Sequence, residues 1–110
     1  MKLRFSREAT AELRLASARY EGQRPGLGEQ FIDAVNNTAC QIAEWPSAGH
    51  PFDSFARGRI VQRFPYWLIY EQRRSVIIVT AVAHQSRGDD YWRSRAGVRE
   101  PSAEYWSLAA

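Results

Sequence analysis

The chain has one cysteine, Cys40, and one lysine, Lys2. Its longest apolar run is Val76–Ala83, which Thr80 interrupts. A single cysteine excludes an internal disulfide and a cysteine metal cluster. A membrane span needs about 20 apolar residues, so a transmembrane chain is excluded. The opening MKLRFSREAT turns polar by Ser6 and holds no apolar signal core, so a cytoplasmic location is expected. Glycine-rich phosphate loops, paired histidine ligands, a nucleophile elbow and a cysteine pair are also missing. Metal-assisted and covalent serine hydrolysis are therefore set aside, with no metal ligands and no cofactor expected. There is no internal repeat or low-complexity tract. The near-absence of lysine limits chemistry further: fourteen of the fifteen basic residues are arginine, and a guanidinium cannot abstract protons at neutral pH.

What is present is ordinary globular material. The 110 residues are 45% hydrophobic and 25% charged, enough for one real core. The net charge of +3 is unevenly placed. Residues 1–50 carry six bases and six acids, whereas residues 51–110 carry nine arginines against six acids. The surplus points to an anionic partner or to arginine-rich codon usage.

Lys2–Phe5 reads as a short strand, with Ser6 capping a helix and Glu8 favouring its dipole. Across Arg7–Glu21 the positions Ala9, Leu13, Ala16 and Tyr20 form one helical stripe, and Ala11, Leu15 and Ala18 a weaker one on the far side. Gly22 and RPGLG (24–28) stop the helix and reverse the chain. A second helix is predicted from Leu27 to Trp45. On it Phe31, Ile32, Ala34, Val35, Thr38, Ala39, Ile42 and Trp45 share an arc of about 160°. Cys40 falls on the polar arc, as an exposed and chemically ordinary thiol. The short link makes the helices an antiparallel hairpin. Pro46 ends the second helix, and Ser47–Phe55 reads as loop.

The remainder is strand signal: Arg57–Phe64, Tyr66–Gln72 and Val76–His84, joined by connections short enough for hairpins. The last strand is apolar on both sides, with Val76, Ile78 and Val82 on one and Ile77, Val79, Ala81 and Ala83 on the other. It belongs inside a sheet. The fold class is α+β: an N-terminal strand, a helical hairpin, then a three-stranded antiparallel meander sharing one sheet with the first strand. Residues 1–96 form the expected domain and 97–110 a C-terminal tail, with Ser102 placed to cap a turn bearing Tyr105, Trp106 and Leu108. The hairpin covers one sheet face. The C-terminal residues or a second protein should cover part of the other.

Two clusters are candidates for function. Arg57, Arg59 and Arg63, on a regular strand, would point to one side around Val61 as a target- or anion-binding row. The structural alternative is an edge strand guarded by charge against aggregation. The second cluster follows the last strand: His84, Arg87, Asp89, Asp90, Tyr91, Trp92, Arg93 and Arg95. Histidine as a residue type can move protons near neutral pH, but His84, alone and with no orienting partner visible in the sequence, reads as a hydrogen-bonded structural histidine. Asp89 or Asp90 suits the cap of a short helix carrying Tyr91 and Trp92 into the core. His50 carries no functional assignment.

In order and spacing, LRFSREATAEL, RPGLGEQFIDAV, IAEWPSAGHP, RIVQRFPYWLIYE and VIIVTAVAHQSRGDDYW resemble the RelE/ParE superfamily of bacterial type II toxins over about residues 2–95. The long hairpin is closer to the ParE, plasmid-stabilisation branch. The resemblance implies a growth-inhibiting toxin neutralised by a cognate antitoxin. The antitoxin's disordered C-terminal segment would fold across the toxin along the hairpin and a sheet edge, with Ala11, Leu15 and Ala18 as the candidate contact. ParE-like members poison DNA gyrase and are not nucleases; RelE-like members cut mRNA on the ribosome. A nuclease would draw on Arg59, Arg63, His84, Arg87 and Tyr91. Yet arginines stand where RelE uses proton-transferring lysines, so the resemblance favours a binding toxin acting on gyrase, with the ribosome and mRNA as the alternative target.

Overall fold

The computed structural model describes residues 1–88 and 90–93. The expected elements form in the expected order. Strand β1 (Lys2–Phe5) leads into helix α1 (Arg7–Gln23), then helix α2 (Leu27–Glu44) and a 3-10 turn at Pro46–Ala48. Strands β2 (His50–Pro51), β3 (Arg57–Ile60), β4 (Tyr66–Arg73) and β5 (Val76–His84) follow, and a short helix α3 (Asp90–Arg93) closes the described chain. The stretch 47–55 is thus not all loop: part of the 3-10 turn and a two-residue strand fall within it.

Ser6 caps α1 by accepting the Ala9 N–H at 3.1 Å, and α1 buries Ala9, Leu13 and Ala16. Gly26, at φ 87°, starts α2 and has no side chain to cap it. Glu21 of α1 supplies the cap instead, its two carboxylate oxygens accepting the N–H groups of Gly26 and Gly28 at 2.9 and 3.0 Å. An acid there also suits the positive end of the helix dipole. At Gly28 the helices nearly touch: a Cβ would lie 2.6 Å from the Ser17 carbonyl oxygen. On α2 the buried set is Gly28, Phe31, Ala34, Val35, Thr38, Ala39 and Ile42. Ile32 is only half-buried, and Trp45 lies past the helix end, 62% exposed. Cys40 is exposed.

The sheet order is β1-β5-β4-β3-β2. Neighbours are antiparallel except β1, which runs parallel to β5. Strand β5 is thereby flanked on both sides, which explains an apolar sequence on both faces. The assignment of its faces needs correction. The register pairs Ile69 with Ala81 and Tyr70 with Val79, so Thr80 is an extra residue, a β-bulge. Its hydroxyl donates to the Ile69 carbonyl at 3.3 Å. An inserted residue swaps the faces beyond it. Ile77, Val79 and Val82 therefore join the core under the helices, while Ala81 and Ala83 turn to the other face.

That second face is partly covered. Ala56, Ile69, Ala81, Ala83 and Trp92 cluster there with Phe52, Trp67 and Tyr91 around them. Helix α3 delivers Trp92 to 2% exposure, edge-on to Phe52 at 5.3 Å. Asp53 holds this cover in place. Its carboxylate accepts the Phe55 and Ala56 N–H groups and pairs with Arg93 at 2.9 Å. Those backbone hydrogen bonds first, and Arg93 after them, hold its carboxyl below the usual aspartate range. The expectations for Asp89, Arg95, the 97–110 tail and the cap of α3 lie outside the described residues.

Gly28→Ala is expected to lower stability by about 1–3 kcal/mol, because the new methyl meets backbone that cannot swing away. Gly22, also on α1, has open space around its missing Cβ. There the same change should stabilise by about 0.5–1 kcal/mol through helix propensity. Denaturant midpoints of the two variants should move in opposite directions.

Candidate functional site

The residues singled out from sequence occupy two surfaces. The first is a groove of about 290 Å³ between α1 and the end of β5, lined by Glu12, Leu15, Ala16, Arg19, Tyr66, Val82, His84, Ser86 and Arg87. Leu15, 67% exposed, lines its outer side; Ala11 and Ala18 are also exposed but do not line the groove. The wall arises from the strand geometry. Strand β1 pairs only as far as Val79, where the Ser6 N–H meets the Val79 carbonyl at 2.9 Å. Beyond that point no strand among the described residues pairs with β5 on that side. The Glu12 carboxylate reaches across from α1 and accepts the Val82 N–H at 2.9 Å.

His84 stands edge-on to the Tyr66 ring at 5.1 Å. Its Nδ1 accepts the Ser86 N–H at 3.0 Å and lies 2.8 Å from the Ser86 hydroxyl. Accepting a backbone N–H requires a lone pair on Nδ1, so the neutral ring carries its proton on Nε2. Arg19 donates to the Tyr66 hydroxyl at 3.3 Å. The Arg87 guanidinium lies 3.6 Å from the centroid of the Tyr91 ring, a cation–π contact. Arg87, His84 and Leu15 thus converge on one groove, with Tyr91 beneath Arg87.

The second surface carries the arginines of β3. Arg57 donates to the Gly49 carbonyl at 2.8 Å. Arg59 donates through Nε to the Gln41 side chain at 3.2 Å. Both are half-buried and held by neutral oxygens, which orient them and leave their charge uncancelled. Between them and α2, the buried Tyr70 hydroxyl donates to the Pro46 carbonyl at 2.6 Å. Burial pushes the Tyr70 phenol above its usual range, although Arg57 and Arg59 pull the other way; it stays a protonated donor.

The row of three arginines is not formed. Strand β3 ends at Ile60, and Arg63 sits in the following turn at φ 73°, a left-handed conformation. The turn is pinned at both ends. The Val61 N–H bonds to the Tyr66 carbonyl at 2.8 Å. The Phe64 ring packs edge-on against Tyr20 at 5.0 Å and Phe31 at 5.1 Å. Bringing Phe64 back to the helices forces the residue before it into the left-handed region, and Arg63 projects from the tip, exposed.

Four groove residues were not singled out from sequence: Glu12, Arg19, Tyr66 and Ser86. The helical spacing of Glu12, Leu15 and Arg19 places them on one face, a signal hidden by reading only apolar positions. Among the described residues no group of three histidine, cysteine or acidic side chains could hold a metal ion. No helix there is long and apolar enough to cross a membrane.

The profile of the family described as the ParE toxin of the type II toxin–antitoxin system parDE matches residues 3–88. The chain belongs to the ParE toxin family. No curated protein matches it. Among solved structures it is similar to a chain described as "Chromosomal ParDE TA system from P. aeruginosa". That match has 15% identity and a TM-score of 0.68, covering 76% of this chain and 95% of that one. At such identity the likeness speaks for the fold. The matched span takes in both surfaces as far as Arg87 and stops before α3, so the Tyr91 support beneath Arg87 lies beyond it.

Arg63→Gly is expected to stabilise the protein. Relief of the left-handed strain, about 1–2 kcal/mol, outweighs the greater chain entropy of glycine, about 0.5–1 kcal/mol. A rise in Tm of a few degrees follows for a domain of this size. Arg63→Ala, which keeps the strain, should leave Tm nearly unchanged.

Proposed function

We propose that this ParE-family toxin acts by binding a protein target, with DNA gyrase as that target. A cognate antitoxin holds it in check by folding along the Ala11, Leu15 and Ala18 stripe. The observation that carries this reading is how the groove's titratable groups are engaged. The Glu12 carboxylate accepts from the Val82 N–H and His84 Nδ1 accepts from Ser86. Both hold the wall in shape. RNA cleavage by its 2′-hydroxyl needs a base, an acid and cationic stabilisation, and of these the groove supplies mainly the last. Arg57, Arg59, Arg63 and Arg87 then serve as contacts to an anionic surface, each a donor fork suited to carboxylate or phosphate. Such a target sits in the cytoplasm, where expression without antitoxin would arrest growth.

One observation favours a second reading, a RelE-like ribosome-dependent mRNA endonuclease. Arg87 and His84 do face the same groove as Leu15, and Ser86 engages His84 through Nδ1 only. In that case Arg59 and Arg63 would grip the phosphate and Tyr91 would position Arg87.

The deciding experiment compares two assays on purified toxin. Gyrase-dependent supercoiling should be inhibited, and transcripts in a translation mixture should remain intact. Untouched supercoiling with cleaved transcripts would reverse the ranking. Arg59→Ala and Arg87→Ala should each weaken inhibition about tenfold or more, while Tm falls by only a few degrees. Such a loss matches removal of about 1.4 kcal/mol of binding energy.

Leu15→Glu tests the antitoxin face separately. It places a charge in an apolar contact and should weaken antitoxin binding at least about tenfold. Calorimetry with the cognate antitoxin would measure it. Unchanged affinity would move the antitoxin off α1.

A further inference from the structure

The turn that follows β5 is built around the His84 ring, and three tethers hold it. The Gln85 N–H donates to the Pro65 carbonyl at 2.8 Å, and the Arg87 N–H to the His84 carbonyl at 3.1 Å. The third is the Ser86 N–H, which donates to His84 Nδ1 at 3.0 Å. The first two end on carbonyl oxygens, which accept at any pH. The third ends on a ring nitrogen, which accepts only while it carries no proton. Histidine is the side chain type that changes charge within the physiological range. One tether of the turn is therefore conditional.

A protonated ring has a second arrangement within reach. Ser86 Oγ lies 2.8 Å from the same Nδ1, and a hydroxyl can donate or accept. With a proton on Nδ1 the ring donates to that oxygen, while the Ser86 N–H faces a like donor and loses its acceptor. That N–H belongs to the peptide between Gln85 and Ser86, immediately before Arg87. The Arg87 guanidinium rests against the Tyr91 ring of α3, a contact with no directional hydrogen bond, so rotation of the preceding peptide carries it away. The charged groups that share the groove with His84 are Glu12 and Arg19 of α1 and Arg87 itself. The Tyr66 phenol of β4 stands edge-on to the ring. Glu12 is already engaged with the Val82 N–H, and a cationic ring adds repulsion toward both guanidiniums.

We propose that His84 is a positioning residue for Arg87 and acts as a pH-sensitive latch. The neutral ring holds the Ser86 N–H and, through the turn, keeps Arg87 on Tyr91. The protonated ring turns to Ser86 Oγ, and Arg87 leaves its place. In acid the groove thus loses its oriented guanidinium, and a partner that depends on it binds more weakly. That consequence rests on reading Arg87 as a target contact; the latch itself does not.

The test uses isotope-labelled, full-length toxin without any partner, so it stands or fails apart from the supercoiling assay. Spectra are taken between about pH 8 and about pH 5, where histidines change charge. Long-range imidazole NMR reads the tautomer, and amide NMR reads the turn. At the upper end His84 should carry its proton on Nε2. As the ring takes a second proton, the Ser86 and Arg87 amides should shift along the same curve, and Overhauser contacts between Arg87 and Tyr91 should be lost. His50, the second histidine of the chain, lies in β2 and should titrate without moving them. His84→Asn offers an amide oxygen that takes no proton, so its turn should hold across the whole range. Three results would overturn the proposal: a proton on Nδ1 at the upper end, Ser86 and Arg87 signals that ignore the His84 titration, or a His84→Asn turn that titrates like the wild type.

Discussion

One extra residue in β5 sets the arrangement of everything around it. With Thr80 bulged out between Val79 and Ala81, the strand sends Ile77, Val79 and Val82 under the helical hairpin. It gives Ala81 and Ala83 to the smaller cluster beneath Trp92. A strand in unbroken alternation would turn Val82 away from the helices and Ala81 and Ala83 toward them. The small alanines are what allow a ring as large as Trp92 to settle on the second face. The bulge also falls where β1 stops pairing, so the Val82 N–H is left for Glu12, and His84 ends the strand beside Tyr66. The groove between α1 and β5 is thus a product of register.

This explains which parts of the molecule were legible from residues alone. The helices were, because their periodicity is reinforced by independent punctuation: Ser6 before α1, RPGLG between the two, Pro46 after α2. The interior place of β5 was legible from its doubly apolar sequence. Its faces were not, since period-two reading assumes that no residue is added, and nothing local marks Thr80 as the addition. The same assumption extended β3 through Arg63 and aligned three arginines that the structure separates. Exposed Trp45 illustrates a related limit: it continues the apolar arc of α2 in angle, yet the helix stops one residue short of it. The cap of α2 was invisible for a different reason. Glu21 belongs to the other helix, and only the hairpin's closure brings it to Gly26 and Gly28.

The cationic half of the chain behaves differently from an ordinary charged surface. Arg73 and Arg93 are paired with Glu71 and Asp53, and the second of these pairs fastens the cover over the second face. Arg57, Arg59 and Arg87 are instead oriented by a carbonyl, an amide and an aromatic ring. Neutral partners restrict the rotamers of a long side chain without cancelling its charge. Much of the entropy cost of ordering an arginine is thereby met before a partner arrives. A strand guarded only against aggregation has no need of oriented guanidiniums, since a mobile one repels a neighbouring edge equally well.

Arg63 sharpens the same argument from the side of stability. The turn that returns Phe64 to Tyr20 and Phe31 holds a left-handed residue just before it, a position that glycine would fill at least strain. The chain places a bulky arginine there and accepts a cost of about 1–2 kcal/mol, a considerable share of the margin for a domain of this size. Structural need explains the conformation but does not explain the residue. Among the described residues no hydrogen bond or ion pair engages the Arg63 guanidinium to offset the strain, so an arginine here costs stability that glycine would spare, and the fold by itself gives no reason for the choice.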